Sequence, residues 1–171
     1  MASRDLNGLV PTLKMKHAAL VAELSFPILT YCTGRSAEEQ SKLWRQSRSI
    51  DTILAKEKVL IKYDHIELAR ILIEVGPHTG PHVTHAGPGE SWHQYWMAFD
   101  AVPMIHGKPA WNYKKNEGVW SELGSVATNL GINWGGNWKR PKDYPHCQIA
   151  TTSNPLKIGV QGCILKESDL W

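Results

Sequence analysis

The sequence predicts an α+β fold, and two kinds of pattern predict it. Apolar residues recur at helical spacing in residues 11–24 and 120–130, as on the buried face of an amphipathic helix. Residues 27–33 form a short, largely apolar run, and residues 99–105 have the composition of a central strand. With 171 residues, the chain is expected to form one domain, 1–171, that buries roughly two-thirds of its unfolded surface.

The first predicted helix begins at Pro11, which suits a first turn because the missing N–H needs no partner there. Its buried face comprises Leu13, His17, Leu20 and Leu24, with His17 at the edge of the core or at the surface. After the strand at 27–33, Ser36 and Glu39 have the spacing of a capping box and predict the start of a second helix. Arg35 is thereby placed at a strand-to-helix corner.

Residues 49–76 are predicted to be helical, with a cap at Asp64 and Glu67 and a stop at Gly76-Pro77. The loop that follows, 76–89, is rich in Gly and Pro and contains His78, His82 and His85. These histidines are interpreted as surface residues rather than metal ligands, because loop histidines more often have that role.

The second half of the chain continues the alternation of strand and helix. The strand at 99–105 places Asp100 on one face of a sheet. The helix at 120–130 ends at Gly131, since glycine is suited to the left-handed position after a helix. A tight turn at 134–138 then leads toward Asp143 and His146.

Charge and cysteine content exclude several classes of protein. A net charge of +3 is too small to indicate nucleic-acid binding, and no apolar run approaches the roughly 20 residues of a membrane span. The first residues lack the apolar core of a signal peptide, so synthesis in the cytosol is expected. Three cysteines, Cys32, Cys147 and Cys163, have no C-x-x-C spacing and are interpreted as buried thiols.

His93, Asp100 and His146 have the chemistry of a catalytic zinc site. Two imidazoles and one carboxylate are a common set of three ligands, which leaves a fourth position open for a water whose pKa the metal lowers to about 7. Asp143, three residues before His146, is placed to act as the general base. Ligand identity alone does not distinguish zinc from other divalent ions.

The residues around these ligands resemble a known family. Ser91, His93, Ala98 and Asp100 fit the Ser-x-His-x-x-Gly-x-Ala-x-Asp signature of the zinc D-Ala-D-Ala carboxypeptidase/endopeptidase family. Upstream, the similar elements are Gly34-Arg35-Ser36, Glu39-Gln40 and Leu43-Trp44. Downstream, residues 131–139 and 143–148 are similar to the end of the phage L-alanyl-D-glutamate endopeptidase branch, so that the resemblance extends over residues 5–150.

The resemblance implies a small central antiparallel sheet flanked by helices, similar to Hedgehog and D-Ala-D-Ala peptidases, with residues 49–76 as a helical insertion. It implies Zn²⁺ held by His93, Asp100 and His146, with Asp143 as base and Arg35 as the cation that stabilises the oxyanion or binds a substrate carboxylate. Residues implied to bind substrate are Gln40, Ser91 and Trp138. The insertion would either form one wall of the substrate groove or cover a sheet edge, and Gln40 would either orient substrate or satisfy buried backbone groups.

The resemblance further implies a monomeric peptidoglycan hydrolase that cuts stem peptides at the L-Ala–D-Glu bond. A phage endolysin of this kind is made in the host cytoplasm, depends on a holin for export and acts in the periplasm or cell wall. The tail at 151–171 is too short to be a separate wall-binding domain and is expected to pack on the catalytic domain. The alternative within enzymes is a D,D-carboxypeptidase that removes a terminal D-Ala, since the same signature serves both activities.

Trp96 is the main departure from the signature, which has Gly at this position. A motif glycine marks either a positive φ angle or a close backbone approach, and a bulky residue at positive φ is strained. Either the turn between His93 and Asp100 is rebuilt, or the site is strained, altered or inactive. The last case would make the protein a wall-peptide binding protein without catalysis.

Overall fold

A computed structural model of the chain describes residues 2–149 and 154–158. Within these residues the helices are α1 (Pro11–Glu23), α2 (Ala37–Arg45), α3 (Ile50–Lys62), α4 (Ile66–Glu74) and α5 (Glu117–Asn129). The strands are β1 (Ile28–Cys32), β2 (Ala98–Ile105), β3 (Lys108–Pro109), β4 (Asn133–Trp134) and β5 (His146–Gln148). The predicted α+β class, with helices and a small antiparallel sheet, is confirmed.

The sheet has the order β1-β2-β5-β4, with β3 paired to the far end of β2, and every pairing is antiparallel. The central strand β2 therefore has a neighbour on each side. At Asp100 these neighbours are Cys32 of β1 and His146 of β5. A distant Asp and His are thus brought opposite each other by strand register alone.

The chain separates into two compact units. The helical unit comprises Arg35–Tyr95 and, among the C-terminal residues, 154–158, whereas the sheet unit comprises residues 3–34 and 96–149. The expectation of a single domain stays a prediction. No helix in the described part of the chain is both long and apolar enough to cross a membrane.

The core of the sheet unit lies between the sheet and the helices α1 and α5. Its fully buried side chains include Leu13 and Leu20 of α1 and Leu123 of α5. His17 belongs to this core: its Nε2 lies 2.8 Å from the Thr30 hydroxyl, and its ring contacts Phe99 edge-on. Burial accordingly lowers the pKa of His17.

The helical unit has its own apolar core, formed by α2 and the predicted insertion. The insertion consists of the helices α3 and α4, whose buried residues pack with Trp44 of α2. The guanidinium of Arg45 donates to the Leu72 carbonyl oxygen at 2.8 Å and so connects α2 to α4 through the backbone. These contacts make the insertion part of the unit's core.

One predicted helix boundary is confirmed in detail and another is wrong. The Ser36 hydroxyl accepts from the Glu39 N–H at 3.1 Å, as the capping box predicts. Asp64, in contrast, does not cap α4: the residue before α4 is His65, which makes no capping bond through its side chain. Asp64 instead ends α3 in a left-handed conformation with φ of 63°.

The predicted packing of the tail at 151–171 is described for residues 154–158 alone. These residues include a 3-10 turn, Pro155–Ile158, and Leu156 packs against the apolar cluster of the helical unit. The remainder of that prediction, together with the interpretation of Cys163, lies outside the described residues.

Candidate metal and catalytic site

Asp100 and His146 form the centre of the candidate site in the sheet unit. They are opposite each other in the β2–β5 register, and His146 Nδ1 lies 3.2 Å from Asp100 Oδ1. The Ala101 N–H donates to the Pro145 carbonyl oxygen at 3.0 Å, which extends the pairing beyond the strand end. Both residues are 8% exposed, so the strand backbone holds a largely buried pair.

Asp143 lies in the turn that immediately precedes β5. Its carbonyl oxygen accepts from the His146 N–H at 3.1 Å, and its own N–H donates to the Gly135 carbonyl at 3.1 Å. A Cβ at Gly135 would lie 2.2 Å from the Asp143 carbonyl oxygen, so this approach requires glycine. The backbone of Asp143 is thereby fixed next to His146 while the residue remains exposed.

Two further side chains contact His146. Its Nε2 lies 2.9 Å from the Gln148 Oε1, and the rings of Trp138 and His146 are 5.2 Å apart. The Trp138 indole donates to Asn133 Oδ1 at 3.1 Å, which orients its ring. Gln148 was not among the predicted site residues, although its place two residues after His146 on a strand puts both on one face.

Each of the two described cysteines neighbours one member of this pair: Cys32 is in register with Asp100, and Cys147 follows His146 on β5. The Cys32 sulfur and an Asp100 carboxylate oxygen are within 4.8 Å of each other. Cys147 is fully buried in the core of the sheet unit, and burial together with the negative charges of Asp100 and Asp143 raises its pKa. Both are buried thiols, as predicted, and Cys147 is unsuited to act as a nucleophile because its thiolate form is suppressed.

In the helical unit, His93 and Arg35 are connected through the backbone. His93 lies in a 3-10 turn, Trp92–Tyr95, and its carbonyl oxygen accepts from the Arg35 N–H at 3.2 Å. His93 is 2% exposed, and Ser91, whose carbonyl accepts from the Gln94 N–H, is 8% exposed. This unit thus contains four of the predicted site residues, Arg35, Gln40, Ser91 and His93, of which His93 is the predicted ligand.

Gln40 holds the Arg35 side chain. Its Oε1 accepts from Arg35 Nη1 at 2.9 Å, while its Nε2 donates to the Ala86 carbonyl at 2.6 Å. Gln40 is fully buried, so both ends of its amide serve protein groups. This geometry favours a positioning role for Gln40, and its direct contact with substrate stays a prediction.

Trp96 has a left-handed backbone, with φ of 55°, in a region that favours glycine. Its carbonyl accepts from the Val10 N–H at 3.1 Å, and its ring packs against Gly8 and Gly34, where an added Cβ would lie 2.3 and 2.5 Å from ring atoms. A left-handed backbone at a residue other than glycine costs about 1–3 kcal/mol. Whether the turn is rebuilt relative to the signature, or the site is strained, altered or inactive, stays a prediction.

The donor groups of the sheet unit suit a divalent metal. A buried carboxylate and an imidazole, 3.2 Å apart, are zinc ligands by type, and a cation would compensate the buried negative charge of Asp100. His78 and His82 of the histidine-containing loop instead contact backbone carbonyls, His78 that of Val75 and His82 that of Ser47. His93, Asp100 and His146 as the complete ligand set stay a prediction.

Comparison with known proteins finds similarity to one family over part of the chain. A family model described as D-alanyl-D-alanine carboxypeptidase matches residues 84–149, which contain every candidate ligand and Asp143. The predicted family resemblance is confirmed. The peptidoglycan L-alanyl-D-glutamate endopeptidase CwlK of Bacillus subtilis (strain 168) is 42% identical over 73 residues, 39% of this chain and 44% of CwlK.

The similarity to the D-Ala-D-Ala peptidase family is concentrated in part of each protein, since the matched region spans less than half the length of CwlK. Among solved structures, the L-Ala D-Glu endopeptidase ChiX of Serratia marcescens has a TM-score of 0.48 and 19% identity, over 88% of this chain and 89% of that chain.

Proposed function

We propose that this protein is a zinc-dependent peptidoglycan hydrolase that cleaves stem peptides at the L-Ala–D-Glu bond. The observation that carries the proposal is the buried Asp100–His146 pair with Asp143 in the adjoining turn. This pair lies in the segment that matches the D-alanyl-D-alanine carboxypeptidase family, and 73 residues of the chain are similar to CwlK, an L-alanyl-D-glutamate endopeptidase. Zinc would be held by His93, Asp100 and His146.

Each protein group has a defined part in this reaction. Bound zinc would supply a Lewis acid that polarises the scissile carbonyl and lowers the pKa of a water. The exposed Asp143 carboxylate takes a proton from the attacking water and returns it to the leaving amine. Arg35, oriented by Gln40, stabilises the negative charge that develops on the carbonyl oxygen. Ser91 and Trp138 contribute to binding of the stem peptide.

The biological setting proposed is lysis by a phage-type endolysin. The protein acts as a monomer on peptidoglycan in the periplasm or cell wall after synthesis in the host cytoplasm, and a holin provides its export. The support is the similarity of residues 131–139 and 143–148 to the endolysin branch. Lysis of cells on co-expression with a holin, and not without it, is the expected result.

Mass spectrometry of fragments released from purified peptidoglycan tests the proposed bond. We expect peptides cut between L-Ala and D-Glu, and we expect a chelator to abolish their release. The similarity of residues 84–149 to a D-alanyl-D-alanine carboxypeptidase family favours one second candidate, a D,D-carboxypeptidase. Release of terminal D-Ala alone would establish that activity and overturn the endopeptidase proposal.

Asp143→Ala tests the proposed base. Turnover should fall by at least about 100-fold, the usual contribution of general acid–base catalysis, while zinc content measured by elemental analysis stays close to wild type because Asp143 is not a proposed ligand. Asp51→Ala, at the exposed first turn of α3, is the matched control and should change neither quantity. Loss of zinc in the Asp143 variant would contradict the role.

A further inference from the structure

A pair of aromatic rings, one exposed and one half-buried, lies on the sheet unit outside the catalytic residues. Trp111, which follows β3, is 56% exposed, and its ring meets that of Tyr31 edge-on, with centroids 5.2 Å apart and an interplanar angle of 66°. The two rings thus form an open corner rather than a closed stack. We call this pair the aromatic corner.

The backbone beneath Trp111 is rigid. Ala110, the residue before it, is buried; its N–H donates to the Pro103 carbonyl at 2.8 Å. Its carbonyl oxygen accepts from the indole of the buried Trp120 at 2.9 Å. Both backbone groups of the neighbouring residue are therefore fixed to the core of the unit, so a ligand at Trp111 would bind without first ordering a loop.

Tyr31 is placed at the corner by an irregularity in the sheet. Thr30 is in register with Ala101 and Cys32 with Asp100, so β1 advances by two residues where β2 advances by one. Tyr31 is the additional residue of this β-bulge, and bulges redirect side chains next to functional sites. The residue that follows Tyr31 is in register with the candidate ligand Asp100.

The sequence on either side of Trp111 is positively charged. Residues 106–115 contain Lys108, Lys114 and Lys115 and no Asp or Glu, and all three lysines are exposed. An exposed aromatic face among cations suits a ligand with an apolar ring face and neighbouring carboxylates. A pyranose ring has such a face of C–H groups, and in peptidoglycan the sugars carry stem peptides with free carboxylates.

We propose that the aromatic corner, Trp111 with Tyr31, binds an N-acetylhexosamine of the peptidoglycan glycan strand and so presents the attached stem peptide to the catalytic residues. A sugar ring packs on the exposed indole face, with Tyr31 fixing the orientation of that indole. The inference rests on the proposed function, because that function supplies the glycan-linked substrate. The corner contributes to binding and takes no part in bond cleavage.

Two substrates with the same stem peptide test the proposal, one free and one attached to its disaccharide. For Trp111→Ala, KM for the glycan-linked peptide should rise about 10-fold, as on loss of one aromatic stacking partner, with kcat unchanged. Kinetics on the free peptide should be those of wild type. Trp111→Tyr, which keeps an aromatic face, should recover most of the loss. Equal effects of Trp111→Ala on both substrates would overturn the proposal.

Binding without catalysis separates this inference from the proposed function. Peptide-free glycan strands, prepared by amidase treatment, are titrated into wild type, Trp111→Ala and the control Met15→Ala in a calorimeter. Met15 is 73% exposed on α1 and belongs to no proposed site. Wild type and the control should bind about 10-fold more tightly than Trp111→Ala. If wild type does not bind the glycan strands, the proposed sugar-binding role of the aromatic corner is overturned. If wild type binds the strands but cleaves neither peptide, the proposed function alone is overturned.

Discussion

Residue 96 shows how a bulky side chain can occupy a backbone region that favours glycine. Trp96 occupies the left-handed region that the motif glycine would favour, and its ring packs over Gly8 and Gly34. Strain at one residue is offset by the contacts of a large ring with two residues that lack side chains. From sequence, a positive φ could be expected at this position, but the cavity that accepts the indole could not, because it is formed by residues 62 and 88 positions away.

A double-mutant cycle tests this account of Trp96. Gly8→Ala should destabilise the wild type by about 1–3 kcal/mol, because the new Cβ would overlap the Trp96 ring. In a Trp96→Gly background the same substitution should cost less than about 0.5 kcal/mol, since the ring is gone. Urea unfolding of the four proteins gives the coupling energy. An equal cost in both backgrounds would show that Gly8 and Trp96 are not coupled.

At the scale of elements, local start and stop signals were the most predictable features. Ser36 and Gly131 act within one or two turns of their own helices, and both predictions were correct. The prediction that Asp64 caps α4 was wrong for an equally local reason. The His65 N–H donates to the Leu60 carbonyl and the Asp64 N–H to that of Ile61, so Asp64 is the left-handed residue of a Schellman motif that ends α3.

The pairing of α3 with α4 was not predictable in the same way, because helical periodicity does not identify the partner of an apolar face. The structure provides that partner as α2, through Trp44 and the apolar cluster of the helical unit. A first consequence is that the insertion stabilises its own unit. Whether it also forms a wall of the substrate groove stays a prediction.

Leu72→Ala measures the contribution of α4 to the helical unit. Leu72 is fully buried, so its truncation should lower the free energy of unfolding of the protein by about 2–5 kcal/mol. Ile66→Ala, on the same helix but 55% exposed, is the matched control and should stay within about 0.5 kcal/mol of wild type. Hydrogen exchange of the amides in α3 and α4 measures the change in stability for both variants. Similar losses for the two variants would contradict the assigned face of α4.

At the scale of the whole molecule, the residues proposed for the site could be selected from the sequence, whereas the surface around them could not. His93, Asp100, Asp143 and His146 were selected from their spacing together with the family signature, and their joint role stays a prediction. Gln148 lies two residues after His146 on the same strand face, so a local spacing could also have indicated it. Trp111 required the structure, because its position depends on the hydrogen bonds that Ala110 makes with Pro103 and Trp120.

Metal binding should be visible as stability of the whole protein. A ligand that binds the folded state alone adds about 2.7 kcal/mol when its concentration is 100 times Kd, so zinc should raise Tm and a chelator should lower it. In His146→Ala this shift should be largely lost. His82→Ala, which removes an exposed loop histidine, should retain it. An undiminished shift in His146→Ala would remove His146 from the proposed ligand set.

The three-residue strand β5, which carries His146, pairs with β2 on one side and with β4 on the other. This arrangement has a consequence for how the site can lose its metal. Displacement of β5 by one residue would turn His146 into the core and Cys147 outward, because successive side chains point to opposite faces. Cys147, packed at the centre of the sheet unit, opposes that slip. Substitutions that loosen the packing of Cys147 should therefore impair metal binding without altering a single ligand.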